Sequence, residues 1–376
     1  MLAASIEDAE AYRASGGAEV PLLTPQFSES RVRALVAYCR EVGELADPVG
    51  ELIAAWELSN GLHVEERRVP LGVVAWAFHG RPHTAVEAVA LALRSGNATV
   101  LIGTEPTRRA NAVVAGLAAA AVESAGLPLA TVTFIAETDQ DALRELAQQY
   151  RTVDLIKQRG GRPLHNVIGS VATVPVIYAI DGNCHLYVDA DADVAVAVAI
   201  ALDAKTTHPG RCESIETMLV HAAASERVLP SALRALYDHG VELRLDPRAL
   251  EAARRARVPA REAGEDDWSA EYRSLVLAVV VLDSLDEAIE HIATYGTGHS
   301  ETIVTECDAS ARTFAERVDA ACVYVNASTR FSDGLGLGLG PDFGNSTQKL
   351  PMRGPIAVRD LSTRKYVVTG DGQVRG

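Results

Sequence analysis

Leu71-Gly-Val-Val-Ala-Trp-Ala-Phe78, the segment His83 to Arg94, Ser95-Gly-Asn97 and Ala98-Thr-Val-Leu-Ile102 decide the fold. The first and last are short apolar runs with β-branched residues. The segment between them has helical apolar spacing and ends on a Ser-Gly-Asn stop. A strand, a helix and a second strand at this spacing form a βαβ unit, which makes neighbouring strands parallel. The pattern continues outward. Thr107 to Ala125 is a long Ala-rich helix, Leu129 to Ile135 a strand and Asp139 to Tyr150 a helix. Val153 to Ile156 is a strand, Arg162 to Ser170 a short helix and Val174 to Tyr178 a strand.

A second series begins at His185-Leu-Tyr-Val-Asp-Ala-Asp-Ala-Asp193. Val194 to Leu202 reads as a helix and Ile215 to His221 as a buried strand. Leu233 to His239 and Pro247 to Arg255 read as helices, and Arg261 to Trp268 as an acidic surface loop. Leu275 to Leu282, Glu301 to Thr305 and Cys322 to Val325 are strands, with helices at Asp286 to Tyr295 and Ala309 to Val318 between them. The expected organisation is an N-terminal region and first α/β domain over 1–185, a second over 186–335, and a return segment over 336–376. Residues 1–30 are polar and loosely patterned, so a mobile or peripheral start is expected. Arg31 to Leu45 is helical, and Trp56 to Arg68 forms paired strands around Asn60-Gly61. The tail, with Lys365-Tyr-Val-Val-Thr, is a strand or hairpin docking elsewhere, on this chain or on another subunit.

The chain has 376 residues, 48% of them apolar and 23% charged, with a net charge of −15 and a pI near 5.1. Those proportions are globular, and the acidity argues against a phosphate-backbone binder. Five cysteines, Cys39, Cys184, Cys212, Cys307 and Cys322, lack metal or disulfide spacing and read as free thiols. No metal site is expected. The N-terminus has neither a basic nor an apolar leader region, and no stretch is long and apolar enough to span a bilayer, so a cytoplasmic location is expected.

The stretch with chemistry in it is Asp203-Ala-Lys-Thr-Thr-His-Pro-Gly-Arg-Cys212-Glu-Ser-Ile-Glu-Thr217. It places one thiol on a turn between a helix and a strand, held by both yet open to a ligand. Taken alone, a cysteine is more often a buried structural residue. Gly334-Leu-Gly-Leu-Gly-Leu-Gly340 has the wrong spacing for a dinucleotide loop and opens no helix, so it reads as a flexible loop. Arg159-Gly160-Gly161 lies between a strand and a helix, where a phosphate can approach the backbone. Gly103-Thr104 follows another strand. Arg81-Pro-His83 suits a carboxylate clamp. His299-Ser300 and Asn326-Ala-Ser328-Thr329-Arg330 each sit at a strand end, a usual place for ligands.

Together these stretches resemble one family. They include Arg68-Val-Pro-Leu-Gly-Val-Val, Arg94-Ser-Gly-Asn-Ala, Ala204-Lys-Thr with Cys212, Tyr295-Gly-Thr-Gly-His-Ser-Glu and Val323-Tyr-Val-Asn-Ala-Ser-Thr-Arg-Phe-Ser-Asp-Gly. The set is similar to the γ-glutamyl phosphate reductases of proline biosynthesis, within the aldehyde dehydrogenase superfamily. The resemblance spans roughly residues 65–376. It implies two Rossmann-like α/β domains and a C-terminal oligomerisation arm. It implies NADPH as cofactor, reduction of L-glutamyl 5-phosphate through a thioester on Cys212, a homo-oligomer, and functional coupling to a glutamate kinase. By the same resemblance, Gly103, Thr104, Arg159, Gly160 and Gly161 are assigned to the cofactor. Arg81, His83, His299, Ser300, Asn326, Ser328, Thr329 and Arg330 are assigned to the substrate.

The departures concentrate in the presumed active site: the family's Tyr-Glu-Ser-Arg-Pro-Asn is Phe78-His-Gly-Arg-Pro-His83 here, and its Arg-Gly after the strand at Leu101 is Ile102-Gly103. The family's Asn-Ala-Lys-Thr-Gln-Arg-Pro-Ser is Asp203-Ala-Lys-Thr-Thr-His-Pro-Gly210 here, and Glu213 replaces an Asn after the cysteine. A carboxylate beside the thiol raises its pKa unless Arg211 or a cofactor compensates. Hydrolytic relatives carry a water-activating glutamate near the position of Ala179-Ile-Asp-Gly182, where this sequence has none. Slow thioester hydrolysis is therefore expected. The departures leave open a paralogous reductase acting on another activated acid, or an inactive binding subunit.

Overall fold

The computed structural model describes residues 1–14, 28–79, 83–178, 181–350 and 352–375. The chain divides into two compact units, one of residues 1–180, 338–344 and 355–376, the other of residues 181–337 and 345–354.

The first unit contains helices α1 (Leu2–Ala14) and α2 (Glu29–Glu44), then strands β1 (Leu52–Glu57), β2 (His63–Pro70) and β3 (Val73–Phe78). It continues through α3 (His83–Arg94), β4 (Ala98–Ile102), α4 (Arg108–Ser124), β5 (Val132–Ile135), α5 (Gln140–Ala147), β6 (Leu155–Arg159), α6 (Gly161–Gly169) and β7 (Val176–Ile177). The five-stranded sheet has the order β5-β4-β3-β6-β7, with every pair parallel. β3 is central and buried from Val74 to Phe78, which explains its unbroken apolar run. Trp76 packs edge-on against Phe343 at a centroid distance of 4.3 Å.

Two readings of this unit need correction. The start is not a mobile segment over its whole length: α1 is a helix, and residues 15–27 lie outside those described. Asp8 is buried, and its carboxylate accepts the N–H groups of Arg109 (3.1 Å) and Ala110 (2.9 Å), capping the start of α4. Strand β6 also runs past Ile156 to Arg159. Lys157 and Gln158 look like a loop in sequence but pair with Trp76 and Ala77 and are buried.

A separate antiparallel sheet has the order β1-β2-β15, where β15 is Ser362–Thr369. The tail strand thus pairs in register with β2 of its own chain, from Ser362 opposite Pro70 to Thr369 opposite His63. The hairpin around Asn60-Gly61 forms, with Gly61 at φ +83°.

The second unit holds β8 (Cys184–Val188), α7 (Val194–Thr206), β9 (Ile215–His221), α8 (Ala222–Asp238), β10 (Glu242–Leu245), α9 (Pro247–Ala256) and β11 (Arg261–Glu262). β12 (Val276–Leu282), α10 (Leu285–Tyr295), β13 (Ser300–Val304), α11 (Asp308–Arg317) and β14 (Cys322–Val325) follow. The seven-stranded sheet is parallel, in the order β11-β10-β12-β9-β8-β13-β14. β9 shows how the sheet makes two cores. Met218 and Val220 pack on one face with Leu229, Leu233 and Leu243, whereas Leu219 packs on the other with Ile289, Ile303 and Phe314.

Helix α8 is far longer than the sequence reading of Leu233 to His239. It begins at Ala222 and carries Pro230 in its interior. Proline removes one helical N–H bond, but Ala224, Val228, Leu229, Ala232, Leu233 and Leu236 are all buried along one face. The apolar face outweighs the lost bond. The segment from Arg261 to Trp268 is also more ordered than a plain loop, since it supplies β11 and an ion pair between Asp267 and Arg244.

Candidate active site

In the second unit, Cys212 lies on the loop from α7 to β9, at the amino-terminal edge of the sheet. Two anchors hold the loop where it enters β9. Ser214 Oγ donates to the carbonyl of Ala204 at 3.0 Å. Lys205, fully buried on α7, donates through Nζ to the carbonyl of Ile215 at 3.0 Å and pairs with the buried carboxylate of Glu216. Burial pushes the Glu216 carboxyl up to about 7, against the pull of Lys205. Burial likewise lowers the Lys205 ammonium. A buried pair of this kind is costly to form and more costly to break on one side only.

Gly182 runs directly behind the thiol. A Cβ there would overlap the carbonyl of Cys212, so only glycine fits. The Gly182 N–H donates to Glu271 Oε1 at 2.8 Å, and Arg273 holds the other oxygen of Glu271 at 2.7 Å. The sequence has no glutamate near this position, but the fold brings one there from far along the chain. Cys184, the first residue of β8, places its thiol 3.1 Å from the Cys212 carbonyl.

Cys212 is partly exposed. Its thiol donates to Glu213 Oε2 at 3.4 Å. Burial first, and then the Glu213 carboxylate, push this thiol up to about 12. Glu213 is itself buried. Its Oε1 accepts from Arg211 Nε at 3.1 Å and pairs with Arg330. Burial raises the Glu213 carboxyl, but Arg211 and Arg330 outweigh it and hold the group below its ordinary value. Thr329 Oγ1 donates to the Glu213 carbonyl at 2.6 Å.

The residues assigned to the substrate therefore separate. Thr329 and Arg330 meet the Cys212 segment directly. Asn326 does not: its amide bonds both the N–H and the carbonyl of Thr305 at 2.9 Å, at the opposite, carboxyl-terminal edge of the sheet. Its φ of +54° turns the chain back toward the thiol, a conformation Asn tolerates better than most residues. Ser328 caps the next short turn by accepting from Arg330 N at 3.2 Å. His299 and Ser300 are buried beneath the thiol edge and share a 2.8 Å hydrogen bond. His299 also lies 3.8 Å from the Cys184 sulfur, and Ser300 continues through Ser332 (2.6 Å) to Tyr324 (2.9 Å). Burial pushes the His299 ring down to about 4, so it stands neutral. His83 opens α3 in the first unit, with Arg31 3.5 Å away. Arg81 lies outside the described residues.

The residues assigned to the cofactor are all in the first unit, at or just past the carboxyl ends of β4 and β6. The order in which strands are laid down reverses between β3 and β6, the switch point at which open α/β sheets bind ligands. Gly103 leaves no room for a Cβ beside Asn111. A Cβ at Gly160 would sit 2.9 Å from His79 Cβ, and Gly161 opens α6 with φ +42°. The glycine pair stands at the start of α6, where the helix N–H groups favour an anion. Thr104 Oγ1 bonds His79 Nδ1 at 2.9 Å, which adds His79 to the cluster. Arg159 pairs with Glu87 at 2.7 Å and lies over the Phe343 ring.

Residues 24–249 match the model of the aldehyde dehydrogenase family. The chain is 42% identical over 376 residues to γ-glutamyl phosphate reductase 2 of Bacillus licheniformis, covering all of this chain and 88% of the relative. It is 41% identical over 350 residues to γ-glutamyl phosphate reductase of Caldanaerobacter subterraneus, covering 93% of this chain and 84% of that one. The chain belongs to the γ-glutamyl phosphate reductases of the aldehyde dehydrogenase family. It is an oxidoreductase by that membership. A solved γ-glutamyl phosphate reductase from Thermotoga maritima superposes with a TM-score of 0.95 at 39% identity, covering all of this chain and 90% of that one. An acetylating aldehyde dehydrogenase from Geobacillus thermoglucosidasius shares the fold at 20% identity, with a TM-score of 0.68 over all of this chain and 90% of that one.

Sequence reasoning gave Lys205 and Glu271 no role in the site, and noted His79 and Glu213 only as departures. A lysine within an apolar helix next to a motif is a signal that could have been read. For Glu271 there was none, because only the packing of β8 against the loop before β12 brings it to Gly182.

Proposed function

We propose that this chain reduces L-glutamyl 5-phosphate to L-glutamate 5-semialdehyde and phosphate with NADPH, through a thioester on Cys212. The observation that carries the reading is a partly exposed thiol on a loop anchored at α7 and β9, with two guanidiniums beside it. A thiol in such a place can attack an acyl phosphate, with phosphate as a good leaving group. Arg211 and Arg330 suit a substrate bearing anionic groups. Thr329 and Arg330 are the residues beside the thiol that we assign to the substrate. His299 and Ser300 support the floor beneath the thiol.

The glycine cradle at Gly160 and Gly161, with Gly103, Thr104, Arg159 and His79, fits a dinucleotide phosphate. When bound, NADPH supplies the hydride. Glu271 is pinned on both oxygens, which limits its freedom to activate water and favours a long-lived thioester.

The β1-β2-β15 sheet is assigned to contact with a second copy, and a glutamate kinase to the supply of the labile acyl phosphate. Among the described residues no helix is long and apolar enough to cross a membrane. The free thiols suit the reducing cytoplasm.

The test couples the purified chain to glutamate kinase, glutamate and ATP and follows NADPH consumption. Cys212→Ser should lower turnover by ~10³-fold or more. Conversion by the serine variant at the original rate would overturn the reading. A panel of other acyl phosphates checks the acyl group.

A further inference from the structure

The nucleophile and the acid–base group it bonds stand in a mismatched state. The Cys212 thiol donates to Glu213 Oε2, while the other oxygen of that carboxylate is shared by Arg211 and Arg330. A carboxylate so compensated is a poor base. We propose that Glu213 is the proton acceptor for Cys212, held idle by Arg211 and Arg330 until an anionic substrate draws those guanidiniums away. This rests on the function proposed above.

The geometry supports each part. Glu213 is buried, so loss of its counter-charges acts on it in a low-dielectric setting and strengthens it as a base. Arg330 is only 13% exposed and Arg211 47% exposed, so both border solvent while touching the carboxylate. Arg211 also lies 4.0 Å from Asp333, a second anion it can lean on. Thr329 fixes the Glu213 backbone, so the side chain can change partners without moving the thiol.

The other charged or titratable groups facing the pair do not fill this role. His299 is buried and neutral. Glu271 is bound by Arg273 and Gly182. Cys184 is a buried thiol held well above its ordinary value, chiefly by burial. In the step itself, the Cys212 S–H bond breaks and its proton goes to Glu213 Oε2. The sulfur forms a bond to the acyl carbon, and the C–O bond to phosphate breaks with its electron pair leaving on phosphate. Glu213 can then pass the proton to the departing phosphate.

The experiment measures carboxamidomethylation of Cys212 by iodoacetamide, read by peptide mass, across pH 6–9 with and without inorganic phosphate. Phosphate stands in for the anionic substrate. In the unaltered protein it should speed labelling near pH 7 by roughly tenfold, within the reach of general base catalysis. In Glu213→Gln the acceleration should vanish and turnover fall by ~10²-fold, while Glu213→Asp recovers part of both. Protection by phosphate, or no effect of it on the unaltered protein, overturns the proposal without any variant. Turnover of Glu213→Gln near the original rate also overturns it. If Cys212→Ser loses activity while Glu213→Gln keeps it, only the Glu213 step fails. If Cys212→Ser stays active, the reading of the site fails first.

Discussion

Gly182 shows how closely a single atom controls this site. Its missing Cβ is the space occupied by the Cys212 carbonyl. The neighbour is backbone, so nothing flexible can give way. Gly182→Ala should cost about 1–3 kcal/mol of stability and lower turnover by ~10²-fold through displacement of the thiol. Urea unfolding and steady-state kinetics check the two parts. Full activity in the alanine variant would mean the thiol does not depend on this contact. At the same scale, Glu213 was visible as an odd neighbour of the cysteine, and its effect on the thiol had the expected sign. Its partners were not visible, because Arg330 reaches it from another part of the chain.

At the scale of elements, two features carry predictions. Helix α10 presents His291 to Trp268, Tyr295 and His185, with ring centroids 5.8, 4.7 and 5.5 Å away. Burial pushes this ring down to about 3. An unfolded histidine takes a proton below about pH 6.5, while the folded one stays neutral. Its folded pKa is depressed, so the folded state loses stability as pH falls below 6.5. The loss approaches about 1.4 kcal/mol per pH unit. His291→Phe should flatten that slope, and urea unfolding at pH 7 and pH 5 should show ~2 kcal/mol less acid loss than in the unaltered chain. Equal slopes would show that the ring is protonated in the fold. The start of α6 gives the second prediction. Gly160→Ala would press on His79 and Leu164, both 2.9 Å from the new carbon. NADPH binding, followed by nucleotide fluorescence, should weaken about tenfold or more, while iodoacetamide labelling of Cys212 stays unchanged. Tight binding by this variant would remove the cradle from the cofactor site.

For the whole molecule, the β1-β2-β15 sheet leaves Leu52, Ile53, Trp56, Tyr366 and Val368 40–55% exposed. Apolar side chains exposed on a sheet suit contact with another chain. Trp56 and Tyr366 also meet edge to face at 6.1 Å, so the patch is preassembled. Trp56→Glu should shift the mass measured by light scattering from an oligomer to a single chain. An unchanged mass would place the subunit contact elsewhere.

Much of this protein was legible in its residues alone. Alternating apolar runs and Gly-Asn stops dictated parallel βαβ units, because local period and turn chemistry act over a few neighbours. The thiol of Cys212 was singled out by the company its motif keeps with the other family-like stretches, because a lone cysteine between two regular elements is by itself more often structural. Packing decided what lies far apart in the chain. It carried α8 through Pro230, since one buried apolar face outweighs one lost bond. It ran β6 through Lys157 and Gln158, since neighbouring strands shelter them. It set Asn326 at the far edge of the sheet while returning Arg330 to the thiol, and it delivered Glu271 to Gly182. Charges and contacts between distant segments depend on three-dimensional closure, which no local pattern records.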